Sequence, residues 1–557
     1  MKTKIIYLFL ICLLMISISS WADSFENNAL DLIQKYKNLQ PAPVHNETGN
    51  WNNIMHSNRV DPMVNCMPYY YSWVGREITI WGNVHWGDDE TGTYEWDVDG
   101  TIYSGTVTDA RYIAVSHTFN TGGLKTATLT VTDGLGNIDV DQVSINVIPI
   151  VDKQQRINAA IEDGLRWLYL NQYATGYWYT TGEYGVGTTG LAVLAFEENG
   201  HHGNNDLDED IYAETVQLGL DWIVNSNGTT IAIGTQPAGD PDTDGDGIGV
   251  YFSGSVYANG IACLAVAAGD QPDKIIETGA LAGMTYYEAM EDAMNGIAWN
   301  QTDDPSAGRG GWRYNTYYDN YGSSDNSAVQ WPVLALHAIE ENTNDLPFHD
   351  PIIAPSWVAD ELQLWLEYSV CDNGSFGYTY GNYWPNNAKT VSGMASHYYL
   401  ETAQTADVIQ NALDYLDIHW TDPSYDGSWY AEMFYGNYYA LYGLKKAMEF
   451  YDITTFGTGP RDWYEDVSDY LLDDPSYGQY VDGNWPNGAN WFTFTHGTTA
   501  VSVLVLTRGV VTLQPVAVIR SSSLPQPTDT PITFSGQESY HQDIEEFITT
   551  WEWDFDA

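Results

Sequence analysis

A chain of 557 residues exceeds what one hydrophobic core supports, so two to four domains are expected. Its 74 acidic residues against 20 basic ones give a formal net charge of -54, a field that repels nucleic acid and anionic lipid and argues against both as partners. Because 14% of the residues are aromatic, the acidity belongs to a folded surface and not to a disordered tail; a plainly solvated surface and one suited to salt or divalent cations are the two readings.

In chain order, Lys2 and Lys4 precede an apolar run from Ile5 to Ile18, and Ser20-Trp-Ala22 supplies small residues before a cleavage point. Residues 1–22 are therefore expected to be a signal peptide and the protein to be extracellular or at the cell surface. The run is too short to span a membrane, and no later stretch of this chain is long and apolar enough to do so. Cys12 leaves with the signal, and Cys66, Cys263 and Cys371 remain at no metal-like spacing, so core packing and not a disulfide framework must stabilise the fold. Residues 23–68 read as an N-terminal segment and linker, with an amphipathic helix expected over Asn27 to Leu39.

From Tyr69 the period changes to two. Glu77-Ile-Thr-Ile-Trp81, Gly92 to Gly100, His117-Thr-Phe119, Leu124 to Asp133 and Asp141 to Val147 alternate between Gly, Asp and Asn turns, which predicts a β-sandwich over 69–149. Tyr94-Glu-Trp-Asp97, His117-Thr-Phe119 and Ala127-Thr-Leu-Thr-Val-Thr-Asp133 stand in the order of the motifs of the polycystic kidney disease (PKD) domain, which this stretch resembles. The resemblance implies an immunoglobulin-like spacer of the kind that accompanies extracellular hydrolases and adhesins.

Over residues 153–510 the period is helical, and one pattern recurs six times. In its first copy Gly164, Trp167, Leu168 and Gln172 fall at helical intervals, Gly176 permits a reversal, and Trp178 can fold back as an apolar plug. Trp222, Trp299, Trp365, Tyr415 and Tyr470 anchor the later copies, and a helix rich in small residues follows each. Hairpins that each bury one face favour closure, so the expectation is an (α/α)6 toroid whose inner helices line a cavity. Gly164-x-x-Trp167-Leu168-x-x-x-Gln172-x-x-x-Gly176-x-Trp178 resembles the QW motif of squalene-hopene cyclases, whose wider family includes protein prenyltransferases and complement-type thioester domains. The resemblance implies the toroid and is silent on activity, since QW motifs are structural there. Asp163 stands where that family prefers a basic residue, and the later copies are read as largely losing the glutamine.

At residues 515–557 the PKD-like pattern restarts, with Pro531-Ile-Thr-Phe-Ser-Gly536 and Thr550-Trp-Glu-Trp-Asp-Phe-Asp556, and is expected to be truncated at Ala557. The fold class expected is multidomain, an all-α (α/α)6 toroid between immunoglobulin-like β-sandwich (PKD) domains.

The reactive groups of the resembling families are missing. Asp206-Leu-Asp-Glu-Asp210 has the wrong order for a cyclase acid and reads as an acidic helix cap. No Asp lies two residues before Cys263 or Cys371 to hold a prenyltransferase zinc, and no Gly-Cys-Gly-Glu-Gln thioester occurs. Polar groups at inner-helix starts supply the catalytic candidates Asp325, His397 and His496, with an N-cap role for Asp325 and core hydrogen bonding for the two histidines as the competing readings. Trp384 and Trp485, each in a Trp-Pro-Asn turn, with Tyr317 and Tyr318, offer faces on which a sugar ring can stack; packing plugs are the alternative for the tryptophans. Asp240, Asp242, Asp244 and Asp246 alternate with glycines as in a loop that turns carboxylates onto one hard cation, Ca2+. Tyr251 or Ser253 stands where an EF-hand needs Glu, so the choice is a looser calcium loop or a solvated turn. The expected function is extracellular binding or adhesion to a polysaccharide or a surface protein. The rival is a cavity enzyme, polysaccharide-active or terpenoid cyclase-like.

Overall fold

The computed structural model describes residues 62–66, 70–86, 91–108, 112–148, 151–206, 210–303, 308–316, 323–344, 346–421, 433–488 and 494–507, with four two-residue strands between 515 and 541. The signal segment and the Asn27–Leu39 helix lie outside them. Eight strands come first: β1 (Met63–Cys66), β2 (Tyr70–Trp73), β3 (Glu77–His85), β4 (Thr91–Val98), β5 (Thr101–Thr108), β6 (Tyr112–Thr118), β7 (Gly123–Asp133) and β8 (Ile138–Ile148). They form one sheet in the order β1-β3-β6 and another in the order β2-β8-β7-β4-β5, all antiparallel except β2 on β8. Trp96, Leu129 and Ile80 are fully buried, and a Cβ on Gly82 would fall 2.3 Å from Leu129 and 3.3 Å from Trp96, so the two sheets meet face to face. The short β1 is tied across the gap by Asp139 and Asp141, whose carboxylates accept the N–H groups of Val64 and Cys66 at 2.8 and 2.6 Å.

Twelve helices follow: α1 (Lys153–Leu170), α2 (Glu183–Glu197), α3 (Ala213–Asp221), α4 (Val256–Ala268), α5 (Tyr286–Asn300), α6 (Asn326–Asn344), α7 (Ser356–Ser369), α8 (Asn387–Tyr399), α9 (Asp407–Ile418), α10 (Tyr438–Phe450), α11 (Trp463–Asp473) and α12 (Thr495–Leu506). The fold class read from the sequence needs correcting. About 42% of the described residues are helical and 19% are in strands, and among them no clear all-α toroid flanked by two sandwiches is shown. Strand pairs interrupt the helical part, β9 (Thr229–Ala232) with β10 (Ile248–Tyr251) and β11 (Thr455–Phe456) with β12 (Arg461–Asp462). At two to four residues, set among Gly, Asp and Thr, they carry too few side chains for a period to register. Past residue 507 the described structure is four two-residue strands, paired Pro515–Val516 with Tyr540–His541 and Arg520–Ser521 with Phe534–Ser535.

Within the helical part, α2, α4, α6, α8, α10 and α12 are buried on nearly every side. Each packs on the next, and α12 packs on both α10 and α2. Glycine sets the closest of these approaches: a Cβ on Gly260 of α4 would lie 2.6 Å from the Trp331 carbonyl oxygen of α6.

The partner helices are joined by a repeated latch. Gln172 Nε2 donates to Gly176 O and to Thr215 O of α3, both at 2.9 Å. Gln301 does the same with Gly310 O (2.8 Å) and Val358 O of α7 (3.0 Å), and Gln479 with Gly483 O (2.9 Å) and Ala160 O of α1 (2.8 Å). The glutamine therefore persists in two of the later copies, which were expected largely to lose it; in the middle copy the longer insertion between Gln301 and Gly310 hides the spacing. Gly176, Gly310 and Gly483 share φ near +95 and press on the next helix so closely that a Cβ would sit 2.1, 1.9 and 2.3 Å from a backbone oxygen. Trp178, Trp312 and Trp485 then fold back, each indole N–H donating to its own first helix, at Leu168 O, Ile297 O and Leu471 O.

The sandwich docks on α1. Asp163 accepts from Arg76 of the sandwich at 2.6 Å and from Arg166 at 2.8 Å, Arg166 lies over the Tyr70 ring, and Asn83 donates to the Tyr169 hydroxyl at 2.8 Å. An acid at position 163, the departure noted in the first repeat, thus serves the joint between strands and helices.

Gln301 is fully buried, so Gln301→Ala strands two carbonyls and should cost about 2–4 kcal/mol in urea unfolding. Gly310→Ala adds a clash to a left-handed backbone and should cost more, roughly 3 kcal/mol or above. A melt unchanged by either substitution would show that the latch is not a stabilising element.

Candidate functional site

The N-terminal ends of α2, α4, α6 and α10, with Phe494 just before α12, converge on a cavity of about 320 Å3. Its walls include Glu183 and Tyr184 of α2, Tyr257 and Ile261 of α4, Trp331 of α6, Tyr439 of α10, and Tyr314. Trp331 also stacks on the buried Tyr442 at 5.5 Å. At the opposite ends of these helices Glu198 takes Lys445 and, at 2.7 Å, Lys446, which draw its carboxyl down to about 2 against the effect of burial.

Asp325 is fully buried beside this cavity. Its Oδ1 accepts from the N–H groups of Ser327 (2.9 Å) and Ala328 (3.1 Å) and from the Ser327 hydroxyl, which is N-cap geometry for α6. The Ser327 hydroxyl also meets Tyr257 Oη at 2.9 Å, and the Tyr439 hydroxyl donates to the Ser327 carbonyl, so Asp325 is linked to two cavity-wall tyrosines. Its Oδ2 makes no hydrogen bond and faces Arg313 Nε at 3.4 Å. Burial pushes this carboxyl up to about 6, against the hydrogen bonds from Ser327 and the charge of Arg313.

A row of rings runs from the cavity to the surface. Tyr314 stacks on Tyr257 at 6.2 Å, and its hydroxyl meets that of Tyr378. Tyr378 lies 6.4 Å from Trp384, Trp384 stacks on Tyr383 at 4.8 Å, and Tyr383 stacks on Tyr380 at 4.7 Å. Trp384 is 61% exposed and holds φ at 47, a backbone conformation that bulky residues seldom take; Lys389 Nζ donates to its carbonyl.

Of the sequence candidates, Asp325 and His496 stand at helix starts, but His397 sits in the last turn of α8, at the opposite end. That helix is capped by Asn386 and runs from Asn387 to Tyr399, so His397 falls near its C-terminal end. His397 bonds Thr402 Oγ1 at 3.1 Å, and His496 packs on Trp167 at 5.0 Å. Burial lowers both imidazoles to about 4. No hydrogen bond joins any two of the three candidates among the described residues. Trp485 is fully buried in the latch and offers no face to a ligand, whereas Trp384 is open. Tyr317 and Tyr318 lie outside the described residues. Tyr257, Trp331 and Tyr439 were missed by sequence reasoning; the available signal was an aromatic in the first two turns of a small-residue helix.

Asp242, Asp244 and Asp246, between β9 and β10, bring carboxylate oxygens within 4.8 Å of one another. Asp240 stands apart from that group, accepting from Thr235 Oγ1 at 3.2 Å. Asp210 accepts from His201, Asn205 and the Tyr212 N–H, a structural cap. Cys66, Cys263 and Cys371 are buried free thiols, and among the described residues no helix is long and apolar enough to cross a membrane.

No family model matches the chain, and no curated protein does. Among solved structures, the fibronectin(III)-like modules of Clostridium thermocellum CbhA align over 16% of this chain and 100% of theirs, at 17% identity and a TM-score of 0.14. A 1.5-MDa bacterial ice-binding adhesin, studied for host cell surface retention, aligns over 16% of this chain and 33% of its own, at 18% identity and a TM-score of 0.14. Salmonella alpha-2-macroglobulin reacted with methylamine aligns over 85% of this chain, which spans 28% of that one, at 10% identity and a TM-score of 0.29. At such TM-scores these likenesses carry no weight for fold or function.

The two shifted groups have opposite consequences for stability. A carboxyl raised to about 6 from its ordinary 3.8 penalises the folded state above pH 6, so Asp325→Asn should stabilise by about 3 kcal/mol at pH 8 and by little near pH 4. An imidazole lowered from 6.5 to about 4 loses folded-state stability as pH falls from 6.5 to 4, so His397→Gln should remove about 3 kcal/mol of acid sensitivity in that window. Urea midpoints measured from pH 4 to 8 check both, and parallel curves for variants and parent would refute them.

Proposed function

We propose that this is an exported or cell-surface protein whose helical part binds extracellular polysaccharide, with the PKD-like sandwich as its spacer. The observation that carries the reading is the aromatic row Tyr380-Tyr383-Trp384-Tyr378-Tyr314-Tyr257, which joins an exposed platform to a cavity of about 320 Å3. Flat rings in series suit a chain of sugar rings, which stack through their C–H faces and hydrogen-bond at their edges. Glu183, Asn315, Ser255 and the tyrosine hydroxyls supply those edge partners at the cavity. The net charge of -54 favours a neutral glycan over an anionic one.

A second reading, acid catalysis in the cavity, is favoured by Asp325, whose carboxyl is raised by burial to about 6 and is linked through Ser327 to two wall tyrosines. It separates from the first by turnover: a binding protein leaves the glycan intact.

In a pull-down and calorimetric screen of insoluble and soluble glucans, xylans and mannans, Trp384→Ala should lower affinity by about tenfold or more, and Tyr383→Ala by somewhat less, without shifting the melting temperature. Retention of none of these polymers, or equal retention by parent and Trp384→Ala, would remove the proposal. Hydrolysis that is lost in Asp325→Asn would favour the second reading.

A further inference from the structure

We propose that the glycan bound by the helical part carries free amino groups, and that the cavity of about 320 Å3 is an aromatic cage for the ammonium group of one amino-sugar unit. This rests on the polysaccharide reading and names its ligand class. Six rings line the cavity, those of Tyr184, Tyr257, Tyr314, Trp331, Tyr439 and Phe494, and Glu183 is the one charged residue in its wall among the described residues. The face of an aromatic ring carries negative charge density, so a space walled by rings and closed by a carboxylate holds a cation in preference to a neutral group of the same size.

The rings wall that space from different directions, as a cage requires. Trp331 and Tyr439 meet at 5.8 Å with their planes 72° apart, Tyr184 and Phe494 at 6.3 Å and 78°, and Tyr314 stacks on Tyr257 at 6.2 Å. Two aromatic residues are held there against their backbone preference. Tyr314 has φ at 40, fixed by the Val256 N–H, which donates to its carbonyl at 2.8 Å; Tyr179, whose ring stacks on Phe494 at 4.3 Å, has φ at 74. Bulky side chains seldom adopt such a conformation, and strain of this kind collects at ligand clamps.

The charges around the cavity favour a cation. Glu183 opens α2, is exposed, and makes neither a hydrogen bond nor an ion pair among the described residues. Its Oε1 lies 3.4 Å from where a Cβ on Gly254 would stand, so the carboxylate reaches across to the chain that enters α4. Behind the wall, Asp325 is linked through Ser327 to Tyr257 and Tyr439, and Arg313 at 3.4 Å is the cation that faces it. Rings of the same row already hold cations of this chain: Arg313 Cζ lies 4.9 Å from the Tyr314 centroid, and Lys389 Nζ 5.4 Å from that of Tyr378. The field of a chain with net charge -54 draws a cationic polymer toward the site, and low-dielectric walls focus it.

The test is calorimetric titration of the full chain, at about 0.15 M salt so that exposed charges are screened, with tetramers of glucose, N-acetylglucosamine and glucosamine joined by the same linkage. The glucosamine tetramer should bind at one site per chain, about tenfold or more tighter than the other two. Glu183→Gln should lower that affinity about fivefold or more, and the affinity for the neutral tetramers by less, while Tyr184→Ala, at an exposed ring, should lower it about threefold. Glu95→Gln, at an exposed acid of the sandwich, should change nothing. Glucose or N-acetylglucosamine tetramers bound as tightly as glucosamine would overturn the amine assignment and leave the polysaccharide reading standing; no binding of any of the three would remove both. Tetralysine or choline bound as tightly as the glucosamine tetramer, or equal effects of Glu183→Gln and Glu95→Gln, would show attraction to bulk charge or to a bare cation and would overturn it as well.

Discussion

One side-chain amide holds this molecule's helical part in register. In the latch copies at Gln172, Gln301 and Gln479, the glutamine donates to the carbonyl of its own glycine turn and to a carbonyl of the following first-layer helix. In each copy the glycine then touches that helix three residues further on, at Leu218, Glu361 and Asp163. Buried carbonyls need donors, and a single NH2 group with two protons satisfies one on each side of the gap. The indole that follows caps its own helix and fills the space between the layers, so turn, plug and neighbour are set together. The third copy reaches α1, which carries the first copy, and this returns the series to its beginning.

Because the latches place the first-layer helices, the buried helices behind them have their ends placed as well. The N-terminal ends of α2, α4, α6 and α10 gather around the cavity, and at the other end Glu198, at the close of α2, pairs with Lys445 and Lys446 of α10. The two ends differ in chemistry for that reason. One presents tyrosine hydroxyls, free space and a buried acid; the other is sealed by an ion cluster.

Cations are scarce in this chain, at 20 Lys and Arg against 74 acids, and many of them are spent at joints. Arg76 and Arg166 meet at Asp163 between sandwich and helices, Arg309 holds Glu361 beside a latch, and Arg461 bridges Asp417 and Asp466. Carboxylates away from those joints are left with one another. The loop from Asp242 to Asp246 is such a case, and burial with neighbouring acids pushes Asp292 of α5 up to about 8.

Local pattern determined a good deal by itself. Alternation in Glu95, Trp96, Asp97 and Val98 marks a half-buried strand, and Asp97 and Asp133 accept turn N–H groups as their positions beside glycines suggest. Gly176 and Trp178 announce a turn and a plug, and Asp242 to Asp246 announce clustered carboxylates, because these signals lie within a few residues of one another. What only the tertiary structure decided was which distant groups meet. The sequence could not show that Trp384 opens to solvent while Trp485, in the same Trp-Pro-Asn turn, is sealed, since the difference is whether a latch claims the indole. Nor could it show the short strand pairs that make the fold class mixed, the end of α8 on which His397 sits, or the approach of Asn295 to Thr243, 52 residues away. Period and motif report the neighbours a residue has along the chain. Burial, and with it the exposure of a ring or the proton affinity of an acid, is set by neighbours across space, which no local pattern encodes.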